Sequence, residues 1–570
     1  MNNIEIIRHS LAHILASVVQ ELFPGVKFGI GPAIENGFYY DFDLPEKITP
    51  ADLLKIEKKM KKLIKQNIKF KKKIVTKEEA KKIFKGQSYK LKLIKEIEEK
   101  KVIVYENEKF IDLCKGPHVK STKEINPDAF KLTKIAGAYW KGDEKNPMLT
   151  RIYGVAFKTK RELDKYLSSK EEAEKRDHRI LGKKLELFLF DEEVGSGLPI
   201  WLPKGAILRH IIENYLYEEL TRHDYKWLYT PHIGKIDLWK KSGHWNFYQE
   251  NMYSPIQIDE EKYLLKPMNC PFHVKVYNFK IRSYKDLPIK FAELGTVYRY
   301  EKSGVLHGLT RVRGFTQDDA HIICEPGQIS QELDKLIRHG LKMLGDFGFK
   351  DYTIYLSTRP KKYAGTPKGW KKAIDSLEYV LKKNKLKYQT DPGGGIFYGP
   401  KIDIKIKDSL GREWQCTTIQ FDFNLPERFK MAYIDKKGKK QEPYMIHRAL
   451  LGSIERFIGV LLEHYAGSLP LWLSPVQIWI IPVGARHEKY AKELKKELGS
   501  LRVEIKDENE TVSKKIREGE IQKIPYMLVV GDKEMKTKSV RVRERGEGDI
   551  GMIRLNKFIE RVKKEVEAKK

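Results

Sequence analysis

The sequence predicts a multidomain protein of mixed α+β and α/β class, and three observations lead to this prediction. The chain has 570 residues, which at ~150 residues per domain is enough for three or four domains. Residues 161–188 are helical in pattern and highly charged, as expected of a connector between domains. After Ser474-Pro475, buried β-runs alternate with helical segments, which is typical of a small α/β domain with a mainly parallel sheet.

The other segments have their own patterns of predicted elements. Residues 4–23 have the apolar spacing of a helix, and GIGPAIENGFYYDFDL, which follows, has the glycines of a β-hairpin. Residues 450–465 again have helical spacing and predict a mostly buried helix. Three short apolar runs between the connector and residue 470 are predicted strands, namely residues 352–356, 402–406 and 417–423.

The composition excludes several classes of protein. Hydrophobic residues make up 41% of the chain and charged residues 33%, so the chain can bury real cores and is not of disordered composition. Four scattered cysteines are too few for a disulfide framework. No uncharged run approaches the ~20 residues needed to span a bilayer, and Met1 to Arg8 lack a signal-peptide pattern. We therefore expect neither a secreted, a collagenous nor a membrane-spanning protein.

The excess of basic residues favours a polyanionic partner. Lys and Arg number 109 against 78 Asp and Glu, which gives a net charge of +31. Basic side chains gain affinity for nucleic acids by displacing the counterions of the phosphates. The alternative is that the chain simply comes from a lysine-rich proteome.

The densest group of chemically useful residues lies in residues 291–321, FAELGTVYRYEKSGVLHGLTRVRGFTQDDAH. A strand, a charged loop and a returning strand would direct these side chains at one site. Arginines bind phosphate through paired hydrogen bonds, a carboxylate accepts from an exocyclic amine, and a phenylalanine ring can stack on a base. The alternative is a solvated hairpin with ordinary cross-strand ion pairs.

This block resembles motif 2 of the class II aminoacyl-tRNA synthetases, in which Arg-x-Glu precedes a loop and a Phe. Arg299, Glu301 and Phe315 stand at those positions. LYTPHI resembles motif 1, which builds the dimer interface in that class, and HRALLGSIERFIGVLLEHY resembles motif 3. The segments KPMNCPFHV, RVRGFTQDDAHI, WQCTTIQFDF and MIHRALLGSIERF narrow the resemblance to bacterial-type threonyl-tRNA synthetases, over nearly the whole chain.

The resemblance implies a domain order and an activity. We expect an editing domain at residues 1–160, a helical linker at 161–188, a catalytic domain at 189–472 with an antiparallel sheet and flanking helices, and an anticodon-binding domain at 475–570. The family's N-terminal ubiquitin-like (TGS) domain is expected to be missing. Such an enzyme activates L-threonine with ATP, transfers it to the 3′-terminal adenosine of tRNA(Thr) and hydrolyses mischarged Ser-tRNA(Thr). We expect a cytoplasmic homodimer joined through the motif 1 region.

The resemblance also assigns the ATP site residue by residue. Arg299 would hold the α-phosphate and the substrate carboxylate, Glu301 would read the adenine amine, and Phe315 would stack under the ring. Attack of a carboxylate on the α-phosphorus depends mostly on charge neutralisation and positioning, which such residues supply. Mg²⁺ would accompany the phosphates. The other predicted ATP-site residues are Gln420, Ser453 and, for the γ-phosphate, Arg311 and Arg456.

Cys270, His321 and His447 fall where the family places its zinc ligands. By spacing alone they would more often be packed core residues. One Cys and two His leave positions open on a zinc ion, as substrate binding requires. The resemblance implies one zinc per subunit, which would bind the amino and hydroxyl groups of threonine and so exclude the nearly isosteric valine. Asp319 would accept from the hydroxyl group, and three more residues match this pocket, namely Met268, Gln317 and Tyr398.

Serine also has a hydroxyl group, and its missing methyl is worth only ~1–3 kcal/mol of discrimination, so a second, hydrolytic site is expected. His9 and His13 lie at i, i+4, and Cys114 and His118 form CKGPH, which unaided predicts a four-ligand zinc site. The pattern resembles the editing domain of threonyl- and alanyl-tRNA synthetases, in which the alanyl type holds zinc and the threonyl type needs no metal. We assign these four residues to binding and water positioning, with a metal as the alternative, and add two further matches, Lys90 and Asp112.

Two residues of the last domain match the family pattern, and two positions of the chain differ from it. Glu534 and Arg543 match positions that contact anticodon bases. The alternative is that the basic face of this domain is only solvated charge. Phe272 replaces the Gly that usually follows Cys-Pro, and a bulky residue there could shift the loop that carries Cys270. Glu508 stands where an Arg is common, which puts the anticodon-loop contacts in doubt.

Three other functions fit parts of the sequence. A class II enzyme for serine, proline or alanine would not need a zinc that reads a hydroxyl group. A non-catalytic RNA-binding regulator should have lost its phosphate-binding residues, yet Arg299, Arg311 and Arg456 are present. A standalone editing hydrolase would not need residues 190–470.

Overall fold

The computed structural model describes residues 3–569 of the chain. The chain divides into two compact units, and the boundary lies between Glu172 and Ala173. None of the helices in residues 3–569 combines the length and the apolar character that crossing a membrane requires.

The first unit consists of two antiparallel sheets and the helices that cover them. Its strands are β1 (Lys27–Phe28), β2 (Ala33–Ile34), β3 (Gly37–Asp43), β4 (Lys71–Thr76), β5 (Lys101–Asn107), β6 (Phe110–Leu113), β7 (Phe130–Tyr139) and β8 (Met148–Ala156). Its helices are α1 (Asn3–Leu22), α2 (Pro50–Lys65), α3 (Lys77–Ile83), α4 (Ser88–Glu96) and α5 (Lys160–Lys175), the last of which contains the boundary. One sheet has the order β1-β3-β8-β7 with β2 beside β3, and the other has the order β4-β5-β6.

The core of the first unit lies between α1, α2 and the larger sheet. Leu11, Ile14, Leu15 and Val18 of α1 are buried, as the apolar spacing of residues 4–23 predicts. They belong to the same apolar cluster as Phe38, Tyr40 and Phe42 of β3. This packing fixes the face of α1 that carries His9 and His13.

The second unit begins with a large mixed domain. Its helices are α6 (His178–Lys184), α7 (Pro203–Arg222), α8 (Asp237–Ser242), α9 (His244–Tyr248), α10 (Cys270–Tyr277), α11 (Ile329–Asp346), α12 (Pro367–Lys383), α13 (Leu425–Arg428) and α14 (Ile454–His464). Its strands are β9 (Phe188–Leu189), β10 (Ile200–Trp201), β11 (Lys226–Trp227), β12 (Ile233–Lys235), β13 (Ile256–Ile258), β14 (Glu261–Leu265), β15 (Arg282–Ser283), β16 (Ile289–Tyr298), β17 (Gly314–Cys324), β18 (Tyr352–Ser357), β19 (Tyr388–Asp391), β20 (Lys401–Lys407), β21 (Glu413–Asp422), β22 (Tyr433–Ile434), β23 (Lys440–Gln441) and β24 (Tyr444–Ser453).

An eight-stranded sheet organises this domain, in the order β11-β16-β17-β24-β21-β20-β18-β19. The six inner strands, β16-β17-β24-β21-β20-β18, pair antiparallel with one another. The two outer strands, β11 and β19, are parallel to their neighbours. The strands predicted at residues 352–356, 402–406 and 417–423 correspond to β18, β20 and β21, although β21 begins earlier, at Glu413. The antiparallel sheet predicted for this part of the chain is therefore present.

The prediction of a helix at residues 450–465 is wrong for its first turn. Strand β24 continues to Ser453, and α14 begins only at Ile454. The reason is long-range, because the buried Asp318 carboxylate accepts hydrogen bonds from the backbone N–H groups of Leu450 and Gly452, both at 2.8 Å. Ser453 then caps α14 by accepting from the N–H of Arg456 at 3.2 Å.

The charged connector is also interrupted. Asp177 ends the first helical stretch and caps α6, since its Oδ1 accepts from the backbone N–H of Arg179 at 2.8 Å. His178, the first residue of α6, is fully buried. Its Nδ1 lies 2.6 Å from Glu463 Oε1, and its Nε2 accepts from the backbone N–H of Leu309 at 2.9 Å. The segment after Asp177 is therefore packed into the second unit.

The chain ends in a smaller sheet with helices around it. Its strands are β25 (Ile478–Pro482), β26 (Val503–Ile505), β27 (Tyr526–Val530), β28 (Ser539–Glu544) and β29 (Gly548–Arg554). Its helices are α15 (Glu488–Glu497), α16 (Val512–Ile521), α17 (Asp532–Thr537) and α18 (Leu555–Glu567). In the order β26-β25-β27-β28-β29, the first three strands are parallel, and β28 and β29 are antiparallel.

Candidate active site and candidate editing site

A pocket on the large antiparallel sheet brings together most of the residues predicted for activation. Strands β17, β21 and β24 supply its floor, and α10 and the segment before β20 supply part of its wall. The predicted site residues that line it are Met268, Cys270, Arg299, Phe315, Gln317, Asp319, His321, Tyr398, Gln420, His447, Ser453 and Arg456. Glu301 and Arg311, which were predicted for the same site, are not among the lining residues.

Strand register explains why His321 and His447 meet. The two residues are direct cross-strand partners on β17 and β24, and side chains of such partners point to the same face of a sheet. His321 Nε2 lies 3.0 Å from His447 Nδ1. Cys270 comes from the first residue of α10, and the ligand atoms of all three residues lie within 4.8 Å of one another.

The hydrogen bonds around these histidines fit a bound cation. His447 Nε2 lies 2.8 Å from the Asp422 carboxylate, so this nitrogen donates and Nδ1 presents its lone pair to the cluster. Two nitrogens on one tetrahedral zinc at 2.0–2.1 Å would stand about 3.3 Å apart, close to the spacing of His321 and His447. Burial first, and then the neighbouring histidines, lower the pKa of His321 well below its usual value. A neutral imidazole is the form that binds a metal, so the donor set fits zinc.

The remaining pocket residues surround this cluster with polar groups. Asp319 Oδ1 lies 3.7 Å from His321 Nε2, and Asp319 Oδ2 accepts from the amide of Asn269 at 3.0 Å. Tyr398 stacks on His447 with ring centroids 5.0 Å apart and donates to Gln420 Oε1 at 2.5 Å. A small polar ligand at the cluster would therefore meet a carboxylate on one side and an aromatic ring on the other.

The arginines are arranged along the same pocket. Arg299 lies over the Phe315 ring at 5.1 Å, and its Nε donates to the carbonyl oxygen of Pro267 at 3.2 Å. Arg456 is held by a bond from its Nε to the carbonyl oxygen of Thr310 at 3.0 Å. Fixed guanidinium groups of this kind bind phosphate and carboxylate oxygens.

Glu301 and Arg311 form a pair with each other. Arg311 Nη2 lies 3.0 Å from Glu301 Oε2, and Nε of the same arginine donates to that oxygen at 3.1 Å. Arg311 is half-exposed, with 50% of its side chain accessible. An adenine amine and a phosphate would each have to replace one partner of this ion pair.

Two residues near the cluster were missed by the sequence analysis. His244 is buried, lines the pocket, and places Nε2 3.9 Å from Cys270 Sγ. Burial, reinforced by the charges of His447 and Arg299, lowers the pKa of His244 to about 3. His273 is also buried, and its Nδ1 lies 2.8 Å from His321 Nδ1. The Cys-x-x-His spacing of residues 270 and 273, one helical turn apart, was an available signal for the second of them.

Phe272 leaves this arrangement in place. Its ring packs edge-to-face on Trp239, with centroids 5.8 Å apart, in a small apolar cluster next to α10. Gly234 leaves room for the ring, since an added Cβ there would lie 3.1 Å from it. With Phe272 in this place, the ligand atoms of Cys270, His321 and His447 still lie within 4.8 Å of one another.

In the first unit, the four residues predicted for editing form one cluster. Cys114 Sγ lies 3.2 Å from His9 Nε2 and 3.4 Å from His118 Nε2, and the rings of His13 and His118 have centroids 4.1 Å apart. His118 Nδ1 is 3.1 Å from the hydroxyl group of Ser10. His9 and His13, one turn apart on α1, therefore lie next to Cys114 and His118 from the segment after β6.

The electrostatics of this cluster keep it uncharged. Burial, followed by the neighbouring histidines, lowers the pKa of His118, and burial likewise lowers that of His9 and of His13. Burial raises the pKa of the Cys114 thiol to about 12. Each neutral imidazole has one nitrogen that donates a hydrogen bond and one that accepts, so these side chains can bind and orient a water molecule.

Lys90 and Asp112 lie behind the cluster as a buried ion pair. Lys90 Nζ is 2.5 Å from Asp112 Oδ1, and both residues are 2% exposed. Asp112 Oδ2 lies 3.5 Å from His13 Nε2 and accepts from the hydroxyl group of Tyr40 at 2.6 Å. Both predicted residues are thus near the cluster, and Tyr40 is a third neighbour that the sequence analysis did not identify.

The two residues predicted for anticodon contacts lie on different elements at the end of the chain. Glu534 is on α17, and its Oε2 accepts from the backbone N–H of Gly531 at 2.9 Å. Arg543 is on β28 and lies 3.7 Å from Glu520 Oε1. Glu508, the departure noted above, pairs with Lys506 at 2.8 Å.

Three segments of the chain match known protein families. Residues 253–465 match the tRNA synthetase class II core domain (G, H, P, S and T), residues 477–565 match an anticodon binding domain, and residues 102–153 match the threonyl and alanyl tRNA synthetase second additional domain. The chain is 54% identical to a threonine–tRNA ligase of Sulfurihydrogenibium sp. over 98% of this chain and 88% of that protein. It is 52% identical to that of Aquifex aeolicus over 100% and 90% of the two chains.

A solved structure gives the same result. The crystal structure of the RNA binding domain of threonyl-tRNA synthetase from Cryptosporidium parvum is 41% identical, with a TM-score of 0.66, over 68% of this chain and 98% of that one. The antiparallel sheet, the arginine-lined pocket and the core match define a class II aminoacyl-tRNA synthetase. Within this class, the chain belongs to the threonine–tRNA ligase family. The resemblance seen in the sequence motifs is confirmed.

Proposed function

We propose that this protein activates L-threonine with ATP and transfers it to tRNA(Thr). The observation that carries the proposal is the cluster of Cys270, His321 and His447 in the same pocket as Arg299 and Arg456. A site for amino and hydroxyl groups and a site for phosphates are therefore adjacent. A ligase that joins threonine to AMP needs both.

A bound zinc ion would recognise the amino acid in one half of the pocket. Cys270, His321 and His447 would hold the ion, which when bound supplies a Lewis acid for the amino and hydroxyl groups of threonine. Asp319 would accept a hydrogen bond from that hydroxyl group. Valine has no hydroxyl group to donate to Asp319, and a site built to hydrogen-bond a hydroxyl group rejects an analogue without it far more strongly than a pocket rejects a missing methyl.

The nucleotide half would promote attack of the threonine carboxylate on the α-phosphorus, with diphosphate as the leaving group. Arg299 would neutralise charge on the carboxylate and α-phosphate, and Phe315 would stack on the adenine. Arg456, Arg311 and Mg²⁺ would stabilise the departing phosphates. Glu301 would read the adenine amine after releasing Arg311.

The first unit would hydrolyse Ser-tRNA(Thr). Water would attack the ester carbonyl carbon, the bond to the ribose oxygen would break, and the proton would reach that oxygen. The neutral imidazoles of His9, His13 and His118 support this role, since they can bind and orient the water. A metal held with Cys114 is the second candidate arrangement, favoured by the donor set itself.

The proposal also includes the oligomeric state and the cellular location of the protein. Tyr229 in LYTPHI is 89% exposed and Ile233 is 42% exposed, and exposed apolar side chains of this kind favour burial in a partner. We therefore propose a homodimer through the motif 1 region, in the cytoplasm. Glu534 and Arg543 would contact anticodon bases, and the domains would follow the boundaries predicted above.

Amino-acid-dependent ATP–diphosphate exchange with all twenty amino acids tests the activity, and the zinc content of the same sample should be measured. We expect strong exchange with threonine, weaker exchange with serine and negligible exchange with valine. Absence of exchange with every amino acid in folded, zinc-containing protein would favour an RNA-binding regulator.

The editing site can be tested separately by His13→Ala. We expect hydrolysis of Ser-tRNA(Thr) to fall by ~10² or more, because a group that positions the attacking water is lost. Threonine activation, measured as ATP–diphosphate exchange, should stay unchanged and serves as the internal control. Undiminished clearance of Ser-tRNA(Thr) by the variant would rule out the assignment of this cluster, and loss of clearance on chelation would select the metal arrangement.

A further inference from the structure

A chain of buried hydrogen bonds extends from His321 away from the pocket. His321 Nδ1 lies 2.8 Å from His273 Nδ1, and His273 Nε2 lies 3.0 Å from Glu293 Oε2. His273 is completely buried and Glu293 is 3% exposed, and neither residue lines the pocket. They are brought together because His273 follows Cys270 by one helical turn and Glu293 lies on the neighbouring strand β16.

The far end of this chain is a firmly held carboxylate. Glu293 accepts from the backbone N–H of Thr230 at 3.0 Å and from Lys266 Nζ at 3.1 Å. Burial opposes ionisation of Glu293, but the hydrogen bond from His273 and the charge of Lys266 outweigh it, so the pKa of this carboxyl is lowered. An ionised carboxylate can only accept hydrogen bonds.

The direction of every bond in the chain follows from that acceptor. His273 must donate its Nε2–H to Glu293, and in a neutral imidazole the other nitrogen is then an acceptor. His273 Nδ1 therefore accepts from the Nδ1–H of His321. The lone pair of His321 is left on Nε2, which is the nitrogen that faces His447 at 3.0 Å.

We propose that His273, held by Glu293, is a positioning residue that orients His321 as a zinc ligand. This inference rests on the zinc site of the proposed function. Asp422 does for His447 directly what Glu293 does for His321 through one intervening ring. Such outer partners fix the tautomer and the ring orientation of a metal-binding histidine, and their loss typically costs 10–100-fold in metal affinity.

The test is the dissociation constant for Zn²⁺ of the full-length protein, measured by competition with a chromophoric chelator. We expect His273→Leu to weaken zinc binding by ~10–100-fold and to raise the KM for threonine more than the KM for ATP. His273→Gln should stay within a few-fold of the wild type, because its amide can accept from His321 and donate to Glu293. His487→Leu, the same change at a buried histidine outside the pocket, should leave the zinc affinity unchanged.

Two further measurements keep the proposal open to failure. The visible absorption of Co²⁺ in the site should change in His273→Leu and be preserved in His273→Gln, since it reports the ligand geometry. If His273→Leu does not fold, Glu293→Gln decides, because it keeps the side-chain shape and should still weaken zinc binding several-fold.

The outcomes separate this inference from the proposed function. Zinc binding by the wild type with unchanged affinity in His273→Leu or Glu293→Gln would overturn the role of His273 alone, as would a His273→Gln protein as weak as His273→Leu. A wild-type protein that binds no zinc would overturn the zinc site and, with it, this inference.

Discussion

Replacing Cys270 by serine is expected to remove bound zinc and threonine activation together. The thiolate is the strongest of the three donors, and a serine hydroxyl is a poor zinc ligand. Without the ion, the amino and hydroxyl groups of threonine lose their binding site. We expect threonine-dependent ATP–diphosphate exchange to fall by ~10³ or more, which is about 4 kcal/mol of transition-state stabilisation. Metal analysis of the same sample measures the zinc.

The matched control is Cys324→Ser. Cys324 is also fully buried on the large sheet, in strand β17, but it does not line the pocket. The control should keep zinc and most of the activity, at the cost of some stability, because it buries a hydroxyl group. Retained activation in a zinc-free Cys270→Ser protein would defeat the proposed role of the metal.

Arg299→Ala should have the second large effect. Its guanidinium lies over the Phe315 ring at 5.1 Å and over the Tyr248 ring at 5.5 Å, in the pocket that also contains Cys270, His321 and His447. Removing a preorganised positive group that stabilises the charge of a transition state costs ~10²–10³ in rate. We expect kcat for threonyl-adenylate formation to fall by this factor in pre-steady-state measurements.

Arg338→Ala provides the comparison for this variant. Arg338 lies on α11, with 65% of its side chain exposed, pairs with Asp334 and donates to Asn384, and does not line the pocket. Its removal should not change the exchange rate. A normal kcat in Arg299→Ala, with zinc retained, would assign the α-phosphate to another residue.

The fold class and the family could be read from the sequence because the motifs are local. Arg299, Glu301 and Phe315 belong to one hairpin, and His9 and His13 share one face of a single helix. Residue spacing within one element is fixed by the backbone geometry of that element. For this reason the two histidines of α1 and the strands of the large sheet could be predicted before the structure was known.

The features that residue spacing alone could not supply depend on long-range contacts. His321 and His447 are 126 residues apart, and only the pairing of β17 with β24 makes them neighbours. The continuation of β24 to Ser453 depends on Asp318, and the role of His244 depends on its burial beside Cys270. Strand register and burial are decided by the whole fold. The apolar spacing of residues 450–465 therefore predicted the helix but not the residue at which it begins.

The buried His178 determines where a catalytic fragment of this chain can begin. The core match starts only at residue 253, and the second compact unit starts at Ala173. His178 joins Glu463 on the motif 3 helix to the backbone of Leu309, two residues before Arg311. A truncated protein that starts after α6 would leave the Glu463 carboxylate and the Leu309 N–H without this partner. The loop of motif 2 would then lose one of its contacts to the motif 3 helix, so we expect a fragment to need residues that look like a linker.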